Sequence, residues 1–184
     1  GIAISEKLDI MVNDSTASPL LYNQNLCFLE LVISNTTDFD NKLVKWIESS
    51  DTAGKALPVY TVLEKEKTAF DVINATVWKT LLSGGSGVLL NTELDNLDEI
   101  ATPIPMAKTF MHEKIPFWEM ENSNNLLYNK DAACFSKAGE IFVIYMPFYT
   151  YTRINLSGFP GEYNILWYNT RIEENYQKAY IKDI

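Results

Sequence analysis

The chain has 184 residues, a hydrophobic fraction of 47% and 12% aromatics, values that fit one ordinary folded domain or two small ones and exclude a disordered tail. Its formal net charge of −9 argues against a nucleic-acid partner or an anionic membrane surface, because both are held by clustered Lys and Arg. There is no apolar run of the roughly 18 residues that a membrane-spanning helix requires.

The N-terminus, GIAISEKLDI, lacks the charged-then-apolar layout of a signal peptide, which a mature chain would have lost in any case. The first expected element is a strand over Cys27–Ile33, CFLELVI. Asp38 then suits the N-cap of a helix whose Leu43, Trp46 and Ile47 share a face and which Gly54 closes. Leu57–Leu63 is β-rich and nearly continuously apolar, as for a strand buried on both faces. A second helix is expected from Thr68 to about Leu82, with Phe70, Ile73, Val77 and Leu81 at helical spacing, and Val88–Leu90 reads as a short strand. Strand, helix, strand, helix, strand is the order of a parallel α/β layer. Ser83–Gly87, SGGSG, lacks the Gly-Lys-Ser/Thr ending of a phosphate cradle and follows a helix rather than a strand, so it reads as a helix end entering a strand.

Residues 91–102 are acidic and weakly patterned, as for a loop, and Pro105 opens a helix that Pro116 stops. The polar cluster Asn122–Asn125 suits a linker. Beyond it the pattern changes to short strands at Ala132–Ser136, Ile141–Pro147, Thr150–Leu156 and Tyr163–Tyr168, the density of an antiparallel sheet forming half of a sandwich. In the last of these, Trp167 is expected to face the core. The two cysteines, Cys27 and Cys134, sit in apolar runs and read as buried free thiols, with a disulfide as the alternative.

Three strands with two or three helices would leave a parallel sheet with open edges and too little cover. The segment therefore reads as one part of a larger layer completed by other polypeptide chains or by the missing part of a longer one.

The motifs KWIESSDTAGKALPV, WKTLLSGGSGV, FMHEKIPFWEMENSNNLL, DAACFSKAGEIFVIYMP and INLSGFPGEYNILWYNTR, in this order, resemble a group of extracellular glycoside-hydrolase-like proteins. Those carry a (β/α)8 barrel followed by a small C-terminal β-sandwich often labelled a collagen-binding domain. The resemblance spans roughly residues 28–175. It implies a fold of class α/β plus all-β: a partial (β/α)-barrel segment over residues 1–125, then a small antiparallel β-sandwich module over 126–184. It also implies an extracellular or cell-surface location.

In the resembling proteins the strand after Ala-Gly-Lys-Pro ends in an Asp-Glu pair at the barrel mouth. Here the stretch is Val59–Glu66, and Glu64 fits that catalytic position with a one-residue shift. The next strand normally continues Glu-Trp-Tyr-Phe-Gly but reads Leu89-Leu90-Asn91-Thr92-Glu93 here. Glycoside hydrolysis generally uses two carboxyl groups about 5–9.5 Å apart, so these departures point to a non-catalytic structural or carbohydrate-binding subunit. The alternative is the C-terminal portion of an active glycoside hydrolase whose other strands lie elsewhere. Glu64 and Glu66 beside Lys65 and Lys67 equally suit a solvated turn.

Candidate carbohydrate-stacking residues are Trp118, Tyr149 and Tyr151; Phe117 and Trp118 equally suit a role pinning the two parts together. Sequons place glycosylation candidates at Asn13, Asn35, Asn74 and Asn155. His112 is the single histidine and reads as a surface residue. With no partner His for it, no metal site and no cofactor are expected. Polysaccharide is a candidate ligand; nucleic acid and membrane insertion are not expected.

Overall fold

The computed structural model describes residues 4–8, 19–22, 24, 26–33, 39–63, 69–90, 102–147, 151–171 and 174–181. The fold is mixed α/β. Strands β1 (Ile4–Leu8), β2 (Leu26–Ile33), β3 (Val59–Leu63) and β4 (Gly87–Leu90) form one parallel sheet in the order β1-β2-β3-β4. Helix α1 (Phe39–Thr52) joins β2 to β3, α2 (Phe70–Leu82) joins β3 to β4, and α3 (Pro103–Glu113) follows β4. Crossovers between parallel strands are almost always right-handed. A strand order that never reverses therefore stacks every crossover helix on the same face, the singly wound arrangement of barrels rather than that of doubly wound sheets. Among the described residues this sheet does not close on itself, and the edges of β1 and β4 pair with no further strand.

The elements follow their local chemistry. Gly54, at a φ of 79°, turns the chain out of α1, and its N–H donates to the Asp51 carbonyl at 2.8 Å. Ser50 Oγ accepts the N–H of Leu57 at 2.7 Å, fixing the way into β3. Helix α2 is buried at every position from Ile73 to Thr80, because the parallel sheet, α3 and the C-terminal strands β6 and β7 all pack on it. Its threonines are paired inside: Thr80 Oγ1 lies 2.7 Å from Thr61 Oγ1, and Thr76 Oγ1 donates to the Val72 carbonyl at 2.8 Å.

The C-terminal part holds an antiparallel sheet of β5 (Glu121–Asn122), β6 (Ala133–Lys137) and β7 (Ile141–Tyr145), and a separate hairpin of β8 (Tyr163–Asn169) and β9 (Glu174–Ile181). Alternate residues of β6 serve two cores. Ala133 and Phe135 join the main cluster with Leu29, Leu43, Ile73 and Trp78. Ala132, just before the strand, and Cys134 join a second cluster with Leu127, Phe142 and Ile144. Buried side chains from both sides of residue 125 thus share one core. Asn122–Asn125, expected as a linker, is instead built into the sheet: Asn122 belongs to β5, Asn124–Leu126 forms a 3-10 turn, and the Ser123 N–H donates to the Cys134 carbonyl at 2.8 Å.

Other expectations need correction. Val59, Thr61 and Leu63 are buried while Tyr60 and Val62 are only half-buried, so β3 is covered fully on one face rather than on both. Strand β1 and strand β9 were not expected. The Thr150–Leu156 strand is represented among the described residues by an isolated antiparallel bridge between Leu127 and Ile154. Trp167 does not face the core but is 47% exposed. The β8–β9 register shifts between Leu166 and Trp167, with the extra residue in β9, and at this irregularity Tyr168 rather than Trp167 is the half-buried residue. Tyr168 packs against Trp78 and Phe110, at ring-centroid distances of 5.8 and 4.8 Å.

Candidate functional site

In barrels, chemistry sits at the C-terminal ends of the strands. Here β2, β3 and β4 end in Ile33, Leu63 and Leu90, and the segments that follow, 34–38, 64–68 and 91–101, lie outside the described residues. Glu64, the expected catalytic carboxylate, is the first residue after β3 and lies there, as do Tyr149, Asn13 and Asn35. The described C-terminal ends of the three strands carry only apolar side chains.

The face of the sheet opposite the helices is largely apolar, with Glu30 as its half-buried charged residue in β2, and is incompletely covered. Phe28, Val32, Tyr60 and Val62 are half-buried on it, and Leu89 is exposed. The register sets Val32 beside Val62 and Val62 beside Leu89, while Phe28 meets Tyr60 edge to face at 5.8 Å. In a closed barrel this face is the interior.

A cleft of about 1000 Å³ lies at the other end of the strands, lined by Pro58 and Ser86 ahead of β3 and β4, by Glu48 and Asp51 in the last turn of α1, and by Lys108 and His112 of α3. His112 is exposed, as expected, and its ring meets Phe117 at 5.0 Å. Gly85 at this end marks the exit from α2. A Cβ there would lie 2.6 Å from Thr80 Cγ2, so the close approach of loop and helix admits only glycine. Among the described residues no group of three or more His, Cys, Asp or Glu is arranged to hold a metal ion.

The two described candidate stacking residues, Trp118 and Tyr151, have different neighbours. Trp118 is 68% exposed and donates from Nε1 to Glu119 Oε1 at 3.1 Å. Of the expected pinning pair, only Phe117 packs on the main core. Glu119 pairs with Lys137 at 2.9 Å, and that hydrogen bond holds the Glu119 carboxyl below its ordinary range. Tyr151 is exposed, and its carbonyl accepts from Asn129 Nδ2. Asn74 is buried on α2 and donates from Nδ2 to Thr170 Oγ1 at 3.0 Å, a packed position with no room for a glycan, whereas Asn155 is exposed.

Neither cysteine forms a disulfide. Cys134 is buried, which pushes its thiol up to about 12. Cys27, expected to be buried, is exposed. It precedes the point in β2 where regular alternation begins, with Leu29, Leu31 and Ile33 turned inward.

The residue set that sequence reasoning missed is the buried chain Lys79–Asp40–Asn124, which joins α2, α1 and the approach to β6. No local pattern marks Asp40 or Asn124 as a pair. The nearest signal was a lysine on a helix that is otherwise too apolar to have a solvent face. The fold and these sites define an open, singly wound α/β sheet with antiparallel strands packed on its helical side. Compared with protein-family models, curated proteins and solved structures, the chain matches none. No helix among the described residues is long and apolar enough to cross a membrane.

Proposed function

We propose that the chain is a non-catalytic structural and carbohydrate-binding part of an extracellular glycoside-hydrolase-like protein. On this reading β1–β4 are consecutive βα units of a (β/α)8 barrel, and the strands after residue 125 form an accessory β-sandwich-type module. Further polypeptide, on the same protein or on another chain, supplies the remaining barrel strands. The observation that carries this reading is the four-stranded parallel sheet in unreversed order, helix-covered on one face and largely apolar but incompletely covered on the other. A parallel sheet requires cover on both faces, and barrel closure provides it.

The test is the pair of substitutions Val62→Glu and Leu89→Lys, placed on the uncovered face. They are expected to abolish association of this chain with itself or with added barrel polypeptide while leaving the far-ultraviolet circular dichroism unchanged. Unaltered association would overturn the reading.

One observation favours the second reading, an active glycoside hydrolase completed by the missing strands. Glu64 directly follows the C-terminal end of β3, where barrel enzymes place catalytic carboxylates. Hydrolysis of a polysaccharide panel by the completed barrel, lost in Glu64→Gln, would establish it.

A further inference from the structure

The segments that meet at the Leu127–Ile154 bridge carry a solvent-facing row of aromatic and basic side chains. The bridge is closed by the Tyr128 N–H donating to the Arg153 carbonyl at 3.0 Å and the Asn155 N–H donating to the Leu126 carbonyl at 2.8 Å. Exposure alternates with period two along 151–156, while Lys130 stands in the turn that follows Tyr128. Leu127 and Ile154 turn inward onto the Cys134 cluster, and Leu156 is buried. Tyr128, Lys130, Tyr151, Arg153 and Asn155 are all exposed.

The Tyr128 N–H bond to the Arg153 carbonyl sets these two residues against each other, and Tyr151 lies two residues before Arg153 on the same segment. The two tyrosines are 70% and 82% exposed. Asn129 Nδ2 holds the Tyr151 carbonyl at 2.9 Å, which fixes the backbone under that ring. Among the described residues neither Arg153 nor Lys130 pairs with a carboxylate, although the chain as a whole carries a net charge of −9. Two open aromatic faces flank an unpaired guanidinium, a group whose planar fork matches a carboxylate.

We propose that Tyr128, Arg153 and Tyr151 form a binding face for a carboxylated polysaccharide, a chain of uronic-acid units. The tyrosine rings stack on the apolar faces of successive sugar rings, and Arg153, aided by Lys130, pairs with a ring carboxylate. A polyhydroxylated ligand fits better than a protein hot spot, because the exposed residues near the rings along the chain, Lys130, Asp131 and Asn155, are polar rather than apolar. The proposal rests on the carbohydrate-binding half of the proposed function. It makes no use of the barrel face.

The experiment is calorimetric titration with oligogalacturonate, with its carboxyl-reduced neutral counterpart and with poly-L-glutamate. Expected are saturable binding of oligogalacturonate that weakens as salt rises, and little binding of the other two. Tyr128→Ala and Tyr151→Ala should each weaken binding about two- to ten-fold, and Arg153→Gln should remove the preference for the acidic sugar. The melting temperature of each variant should be unchanged, since all three side chains are exposed. Equal binding of the neutral counterpart, lost in the tyrosine variants, would overturn the acidic ligand and leave the carbohydrate-binding reading standing. Equal binding of poly-L-glutamate, wild-type binding by the variants, or no binding of oligogalacturonate would overturn the proposal. Association through the Val62–Leu89 face is measured separately and is untouched by any of these results.

Discussion

Lys79 Nζ lies 3.1 Å from Asp40 Oδ1, with the two side chains 2% and 1% exposed. The pair joins α2 to α1 in the core, and the Lys79 ammonium also stands 5.3 Å from the centroid of the Phe39 ring. The other carboxylate oxygen, Oδ2, accepts from Asn124 Nδ2 at 3.0 Å, and Asn124 Oδ1 accepts the N–H of Cys134 at 2.7 Å. One buried polar chain therefore runs from the α/β layer into the antiparallel sheet. Removing either charge leaves the other buried without this counter-charge. Lys79→Met and Asp40→Asn are each expected to cost about 3–5 kcal/mol in denaturant unfolding. The double variant should cost less than the sum of the two, by a coupling of about 0.5–3 kcal/mol.

Asn124→Ala tests the link between the two parts. It strips a hydrogen bond from Asp40 and one from the Cys134 N–H, so a loss of about 1–3 kcal/mol is expected. Amide hydrogen exchange should speed up at β6 in particular.

Gly54 and Gly85 separate backbone strain from steric strain. At Gly54, with a φ of 79°, a Cβ would meet nothing within 4 Å, so Gly54→Ala should cost only the left-handed penalty of about 1–2 kcal/mol. Gly54→Asn should cost less. At Gly85 a Cβ would meet Thr80 Cγ2 at 2.6 Å and the Thr80 carbonyl oxygen at 2.9 Å. Overpacking of about 1–3 kcal/mol is therefore expected for Gly85→Ala. Shortening the obstruction with Thr80→Ala should recover little, because the backbone oxygen remains in place.

The thiols predict an alkaline loss of stability. Burial pushes Cys134 up to about 12, against an unfolded value of about 8.5. Between these values the unfolded chain has released a proton that the folded chain still holds, so stability falls as pH rises through that window and is fully present below it. Tyr145 acts in the same direction at higher pH, since its phenol is raised by burial first and by Asp71 second. Cys134→Ala should flatten the slope of unfolding free energy between roughly pH 8.5 and 10. With a thiol reagent at neutral pH, exposed Cys27 should react promptly and Cys134 only on unfolding.

Much of the architecture could be read from the sequence where the signal is local. Helical spacing, Gly54 and the SGGSG exit placed α1 and α2 within a few residues of their observed limits, and apolar runs located β2, β3 and β4. Strands β1 and β9 were missed because ISEKL and ENYQKAYI have mixed polar composition and become strands only by pairing with β2 and β8. The outward turn of Trp167 comes at a bulge, whose position depends on the partner strand rather than on the residues of β8. The ties of Asn74 to Thr170 and of Asp71 to Arg171 join residues about a hundred positions apart and leave no local trace. The candidate site was less legible than the fold. Its expected carboxylate and Tyr149 lie outside the described residues, and Trp118 and Tyr151 are exposed beside different neighbours.

The most direct test of the central claim, that the β1–β4 sheet packs against further polypeptide, is light scattering coupled to size-exclusion chromatography on this chain alone over a range of concentrations. The account predicts concentration-dependent association that Val62→Glu abolishes. A monodisperse monomer at every concentration, with no dye-binding apolar surface, would contradict it.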